Sequence, residues 1–432
     1  MKRVGIIVLC LVILVGLLSG WSLFKKKSAK GREITVWSFA ANNIEEWKAR
    51  KADIEQKFDI KLNIVQVAQD AFVQKLQAVM MDGKGVPDII EWMIENNRIL
   101  NADPNKSFVL PLDKYTKKSS VFGKVVKGRV SWVTYGGHVY GLPHDVHPVV
   151  LVYNDTVWKS AGVDVAKLDT WDDFFKAGEK LIAKKKDGKP INYPLPYGND
   201  GLNNTMFMIW QQTGAQVLDR NGKPQLDSPE FAAFVKKWLE WDKLGEFTAW
   251  DWGNFQALVA DGTIASYTSP DWWIPQVNQG AKEGKYQYRV RALPSYKKGG
   301  PQTCSWGGTF LAMPKGTDDP EFVYQIMEYA QYDPSAIKTR YKTTDMLPPL
   351  QEVWGDDIFK QPDQRFGGQK LGELQTTLAP KMPQVNTGDI FWDAILTDFG
   401  QQYSEMATGK VTVEEGLKKA QAAAMKRYEQ LK

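Results

Sequence analysis

Residues Gly136 to Asp164 read GGHVYGLPHDVHPVVLVYNDTVWKSAGVD, and Leu168-Asp169-Thr170-Trp171-Asp172-Asp173-Phe174 follows closely. Gly136-Gly137 predicts a tight, hairpin-like entry to a strand that ends at Gly141-Leu142-Pro143. Val149 to Tyr153 is an apolar run of strand length, and Asn154-Asp155 supplies a helix start. A second helix is predicted at Thr170, because Asp173 lies at the capping-box spacing from it. Outward toward the N-terminus, Ile34-Thr35-Val36-Trp37 reads as a strand, Asn43 to Phe58 as an amphipathic helix and Lys61 to Val67 as a strand. Asp70 to Met81 reads as another helix, with Phe72, Leu76 and Val79 on one face; Gly83 to Pro87 breaks it and Asp88-Ile89-Ile90 begins a third strand. Strand alternating with helix predicts an α/β fold with a parallel sheet, whose ligands sit at the carboxyl ends of the strands. Outward toward the C-terminus, helices are predicted over Phe231 to Leu244, Glu321 to Tyr329 and Thr412 to Leu431, and strands over Gln287 to Leu293 and Thr309 to Met313.

A chain of 432 residues exceeds one ordinary core and predicts two lobes. Its 17 tryptophans are an excess that asks for a reason, since an indole is a flat apolar platform with one polar handle. The net charge of +5 is concentrated at the start: Lys2, Arg3, Lys25, Lys26, Lys27, Lys30 and Arg32 all precede the first acid, Glu33. The remainder carries 48 basic against 50 acidic residues, which argues against nucleic acid or an anionic membrane surface as the main partner. Cys10 lies in the leader and Cys304 stands alone in the body, so no intrachain disulfide is expected there. Lys2-Arg3 followed by the uncharged, mostly apolar run Val4 to Phe24 is an export signal. Gly20-Trp21-Ser22 offers small residues for cleavage, yet a run of 21 uncharged, mostly apolar residues also spans a bilayer core, so residues 1–32 read as a cleaved signal or a retained anchor plus linker. Lipidation at Cys10 is not expected, because Ile7-Val8-Leu9-Cys10 lies in the middle of the apolar run.

The opening stretch resembles the "GKVYGLP…YYNKDLFKKAGLD…TWDEF" signature of bacterial extracellular solute-binding proteins, the sugar-binding group of ABC importers. Further segments match in order: GKGVPDII (83–90), FVLPLDK (108–114), GAQVLDRNGKPQLDSP (214–229), NFQALVADGTIASYT (254–268) and TGKVTVEEGLKKAQA (408–422). The resemblance implies a two-lobed periplasmic-binding-protein fold with a hinge and an interlobe cleft. Lobe one would be residues 33–145 and 293–338, and lobe two residues 146–292 and 339–432. The crossings would fall near Asp145 to Pro148 and near Arg291 to Pro294. It also implies an extracytoplasmic location, a carbohydrate ligand and an ABC permease as partner, with the membrane touched only through the N-terminal segment and no cofactor.

Sugars present hydroxyls at their edges and C–H patches on their faces, so aromatic platforms beside carboxylates and amides suit them. Trp37 and Trp92 follow the first and third strands at the carboxyl edge, with Ser38 and Asn42 in the same loop as Trp37. In the maltose-binding branch the aromatic and acid matching Trp92 and Glu95 contact ligand. Asp145 and His147 stand at the first crossing; His147 replaces an acid that touches sugar in relatives. Trp272 or Trp273, in Ser269-Pro270-Asp271-Trp272-Trp273, occupies the family's "G-P-W-A-W" platform, and the sequence does not choose between them. Trp306 precedes the Gly307-Gly308 turn, Trp392 matches a stacking tryptophan of the maltose branch, and Asn203 and Trp210 follow the Pro194 to Pro196 stretch.

Two other readings compete. A secreted glycoside hydrolase would need two carboxyls at a set separation, which 50 acids do not exclude, but no nucleophile or metalloprotease motif is present and no enzyme is expected. A non-sugar solute would ask for an arginine cluster, a glycine-rich helix start or paired tyrosines. His144 and His147 lack a convincing third metal ligand, and no metal is expected. The number of platforms favours an oligosaccharide; an acidic one stays open because Arg340, Lys342 and Arg365 could line the cleft.

Overall fold

The computed structural model describes residues 31–69, 71–93, 99, 105–197, 204–219, 222–385 and 392–431. The apolar leader, Val4 to Phe24, lies outside them; among the described residues no helix is long and apolar enough to cross a membrane.

The chain opens as β1 (Arg32–Ser38), α1 (Ala41–Phe58), β2 (Ile60–Gln66), α2 (Phe72–Asp82) and β3 (Ile89–Met93). It passes through α3 (Lys127–Trp132), a hairpin of Thr134–Tyr135 with His138–Val139, and the short β4 (Leu142–Pro143) into β5 (Val150–Asn154). Then come α4 (Asp155–Ser160), α5 (Trp171–Ile182), α6 (Asn204–Gln211), α7 (Pro229–Asp242), α8 (Phe255–Ala260), β6 (Ser266–Ser269) and β7 (Tyr288–Arg291). The last part holds β8 (Thr309–Ala312), α9 (Pro320–Tyr332), α10 (Pro334–Thr344), α11 (Leu371–Leu378), α12 (Trp392–Ala407) and α13 (Val413–Leu431). Asn154 caps α4 by accepting from the Val157 amide, and Thr170 with Asp173 closes both arms of a capping box on α5.

One sheet has the order β2-β1-β3-β8-β4; β1 pairs parallel with β2 and β3, and β8 runs antiparallel to β3 and β4. Strand alternation sends Ile34, Val36, Ile89 and Leu311 to the face covered by α1, and Trp37, Ile90, Trp92 and Phe310 to the face covered by α2. The second sheet is the antiparallel β6-β5-β7, around which α5, α6, α7 and α12 build a separate and larger apolar cluster. Two sheets with separate cores make two lobes.

Three chain segments run side by side between them. The Val149 amide donates to the Cys304 carbonyl, the Thr303 hydroxyl to the Val149 carbonyl, and the Ser305 hydroxyl to the Val146 carbonyl. The Val146 amide donates to the Leu347 carbonyl. Leu293, Cys304 and Trp306 pack in the second-lobe cluster, whereas Leu347, Leu350, Trp354 and Phe359 pack with the first.

Candidate ligand-binding site

Where the lobes meet, a chain of buried charged groups runs through the hinge. Arg340 bonds Glu46 through Nε at 3.0 Å, Glu46 faces His144 Nε2 at 2.8 Å, and His144 Nδ1 faces Asp145 at 2.9 Å. His147 lies 2.6 Å from Asp145 through Nε2 and contacts Asp271 through Nδ1. Arg129, from α3, donates to the Asp145 carbonyl at 2.9 Å and to its carboxylate at 3.1 Å. Both imidazoles thus sit between two carboxylates. Burial by itself would push them down; for His144 the Glu46 charge and the bonds to Glu46 and Asp145 win and carry it up to about 9, against the additional opposition of Arg340. His147 is raised in the same way by Asp145 and Asp271. Burial would raise Glu46, yet Arg340 and His144 hold it down at about 2, and Asp145 is held well below the ordinary range, chiefly by His147. His147 takes a φ of +61°, a left-handed conformation that costs a non-glycine residue of order 1–3 kcal/mol. The two carboxylates that grip its ring hold it there.

Asp271 joins this network to an aromatic surface. Its carboxylate accepts from the Trp272 amide and from the Leu347 amide, each at 2.8 Å. The Trp272 indole is half-buried and donates to the Trp306 carbonyl at 3.1 Å. Behind it, Trp273 stacks on Phe255 with centroids 4.3 Å apart, and Trp306 stands 5.1 Å from Trp272. Asn42, from the opposite lobe, places Nδ2 3.5 Å from the Trp272 carbonyl. The Gly307-Gly308 turn passes close by at φ +77° and +135°. A Cβ on Gly308 would overlap the Arg129 guanidinium, and one on Gly307 would come within 2.9 Å of the Trp272 indole nitrogen, so these glycines permit the approach. The result is a half-buried indole fixed at its amide and its ring nitrogen and packed against Trp273 and Trp306.

The structure therefore brings together Asn42, Asp145, His147, Trp272, Trp273 and Trp306. Of the tandem pair, Trp272 is half-buried, while Trp273 is 1 % exposed and packs against it. Trp37 and Trp92 need correction as platforms. Trp92 is 0 % exposed, packed on Phe310 beneath Gly141, and Trp37 is buried edge-on to Phe72 with the Lys75 ammonium over its ring. Strand alternation turns both rings into the α2 core and turns Glu91 to the opposite face, where it accepts from Ser38, Asn43 and Trp47. Trp210 is buried in the second-lobe core against Phe207 and Phe231. Glu95 and Asn203 lie outside the described residues; Trp392 opens α12, and its side chain is outside them too. Of the three basic side chains held in reserve for an acidic ligand, two are committed elsewhere, Arg340 to Glu46 and Gln331 and Arg365 to Asp345 and Asp363, and Lys342 is exposed. The reading from sequence missed Arg129 as the bridge to the glycine turn, and missed Trp252. The pattern Trp250-Asp251-Trp252, just before the motif match at 254–268, was the available signal.

Comparison with known proteins agrees with this architecture. The chain is 24% identical over 407 residues to the arabinooligosaccharide-binding protein of Halalkalibacterium halodurans, covering 90% of this chain and 88% of that one. It is 26% identical over 379 residues to the arabinooligosaccharide-binding protein of Bacillus subtilis, covering 84% of each. An ABC-transporter-associated binding protein of B. animalis subsp. lactis, solved with β-1,6-galactobiose, superposes with a TM-score of 0.72 at 24% identity, over 93% of this chain and 98% of that one, which establishes the fold. The family model for bacterial extracellular solute-binding proteins matches residues 49–366, from within α1 through every strand of the two sheets except β1 and through all three hinge segments. With two lobes, three strands of hinge and a match over that span, the chain belongs to the bacterial extracellular solute-binding protein family.

Proposed function

We propose that this protein captures an oligosaccharide outside the cytoplasmic membrane, by closure of the two lobes, and delivers it to the transmembrane subunits of an ABC permease. The observation that carries the reading is the Trp272 indole, held at three points on lobe two while Asn42 approaches from lobe one. An aromatic face bordered by amide and carbonyl groups suits the C–H face and hydroxyl rim of a pyranose or furanose ring. Relatives named for binding arabinooligosaccharides, and a fold neighbour solved with β-1,6-galactobiose, support the same ligand class. Neutral ligands are favoured, because Arg340 and Arg365 are already paired with internal carboxylates.

Closure follows from geometry. A ligand that touches Trp272 on one lobe and the Asn42 loop on the other has both contacts only when the lobes approach, so it stabilises the closed arrangement. The hinge segments at 145–149, 303–306 and 345–348 would absorb the movement, with lobe one built on the β2-β1-β3-β8-β4 sheet and lobe two on β6-β5-β7. The role is binding without catalysis. The buried carboxylates at the centre, Glu46, Asp145 and Asp271, are occupied with arginine, histidine and amide partners instead of facing a substrate bond.

The test is thermal unfolding and calorimetry of the body from Glu33 against arabino-, malto- and galacto-oligosaccharides. Ligand at about 100 times its dissociation constant adds about 2.7 kcal/mol of stability. One saccharide class is expected to raise the midpoint, with the rise lost in W272A. A midpoint unmoved by any saccharide but raised by a polyamine or a metal would sink the carbohydrate reading and leave the fold.

A further inference from the structure

Beside Trp272 stands an indole that the proposed site has not yet used. Among the described residues the exposed large apolar side chains are Met81, Ile191, Leu244 and Trp252; Trp252 is the one aromatic, and it is 67% exposed. It does not sit on a loose loop. The Asp251 carboxylate accepts from the amides of Gly253 at 2.8 Å and Asn254 at 3.0 Å and from the Asn254 side chain at 2.9 Å, while the Asp251 amide donates back to Asn254 at 2.9 Å. Trp250 braces Trp252 edge-on from behind, at 5.1 Å and 82°. Trp252 lies 6.3 Å from Trp272 with 31° between the ring planes, and 5.8 Å from Trp273. A large apolar ring kept in water by a hydrogen-bonded turn, adjacent to the half-buried ring of the proposed site, has the form of a preorganised contact surface.

We propose that Trp252 is a second stacking platform, which extends the site outward from Trp272 and selects saccharides of two or more rings over single sugars. The inference rests on the carbohydrate reading of Trp272. One ring of the ligand lies on Trp272 and a neighbouring ring on Trp252, and the modest tilt between the indoles follows the bend of a chain that is not flat. A monosaccharide occupies the inner platform alone and gains nothing from Trp252. The exposed position also means that replacing Trp252 leaves the packed cluster of Trp273, Phe255 and Trp306 in place.

The experiment uses the wild type, W252A, W252F and W272A with arabinotriose, maltotriose and galactobiose, and with arabinose, glucose and galactose as single-ring counterparts. The affinity of W252A for the saccharide that binds the wild type is expected to fall about tenfold, the order an aromatic contact supplies, and W252F is expected to recover most of it. Iodide should quench the wild-type emission more than that of W252F, and bound oligosaccharide should abolish that difference. W252A binding within about twofold of wild type while W272A fails would overturn the Trp252 platform and leave the carbohydrate reading intact. Quenching that bound oligosaccharide does not change would do the same. A wild type that binds none of the saccharides overturns both readings together.

Discussion

Glu246 is a buried carboxyl in lobe two with neither oxygen hydrogen-bonded among the described residues. Its nearest neighbours include Gly178, where any Cβ would collide with the carboxyl, and Pro194. Burial, with the Glu179 charge adding to it, pushes its pKa from 4.5 up to about 8. The sign follows from linkage. The fold prefers the protonated acid, so nothing is lost below the unfolded value near 4.5, and stability falls progressively as pH rises from there to about 8. Glu246→Gln removes the titration while keeping the shape. The melting midpoint of E246Q relative to wild type should therefore be clearly higher at pH 8 than at pH 5; an equal gap at both values would show that Glu246 does not titrate in this range.

At the scale of elements, α5 shows how a local signal becomes tertiary. Its start is fixed by the Thr170–Asp173 box, and its apolar face carries Trp171, Phe174 and Phe175 into the second-lobe core against Trp158 and Trp241. Thr170→Ala leaves the Asp173 amide without its partner and should cost about 1 kcal/mol in urea unfolding, with the slope unchanged. A cost near zero would mean that packing of the aromatic face alone defines this terminus. Strand β3 teaches the complementary lesson. Ile89 and Ile90 belong to opposite faces of the sheet, and so do Glu91 and Trp92. A single residue of register therefore separates a hydrogen-bonded acid under α1 from an indole buried under α2.

For the whole molecule, the hinge network makes stability depend on pH from both sides. His144 is raised from 6.5 to about 9, so its contribution is fully present below pH 6.5 and is lost as pH rises through about 9. Glu46 is lowered from 4.5 to about 2, so its contribution is present above pH 4.5 and is lost as pH falls through about 2. The full network thus operates between about pH 4.5 and 6.5. Thermal midpoints should peak in that window and decline toward pH 9. In His144→Gln the midpoint should be lower in the window and its decline toward pH 9 shallower. A decline as steep as in the wild type would place the titrating group elsewhere. Because Asp271 passes from this network directly into the Trp272 backbone, the hinge and the platform share one set of bonds.

The order of elements was legible in the sequence because it depends on local periodicity and punctuation. The strands at Ile34 and Val149, the helix starts at Asn154 and Thr170, the hairpin at Gly136-Gly137 and the late strand at Thr309 all form within a residue or two of the positions those rules assign. The resemblance carried by the quoted motifs supplied the two lobes and drew attention to two segments far apart in the chain, one holding Asp145 and His147 and the other Trp272. What the sequence could not decide was which tryptophans face the cleft. Trp37 and Trp92 follow strands at the proper end of the sheet, yet α2 covers their side of it. Trp272 and Trp273 are adjacent in the chain, yet Trp273 is buried on Phe255 while Trp272 is only half-buried. Pairing of charges is equally non-local: Arg340 reaches Glu46 across 294 positions, and His147 reaches Asp271 across 124. Local periodicity specifies elements, but the exposure of a ring and the partner of a charge depend on what distant segments bring against them, and that is settled only when the lobes are folded.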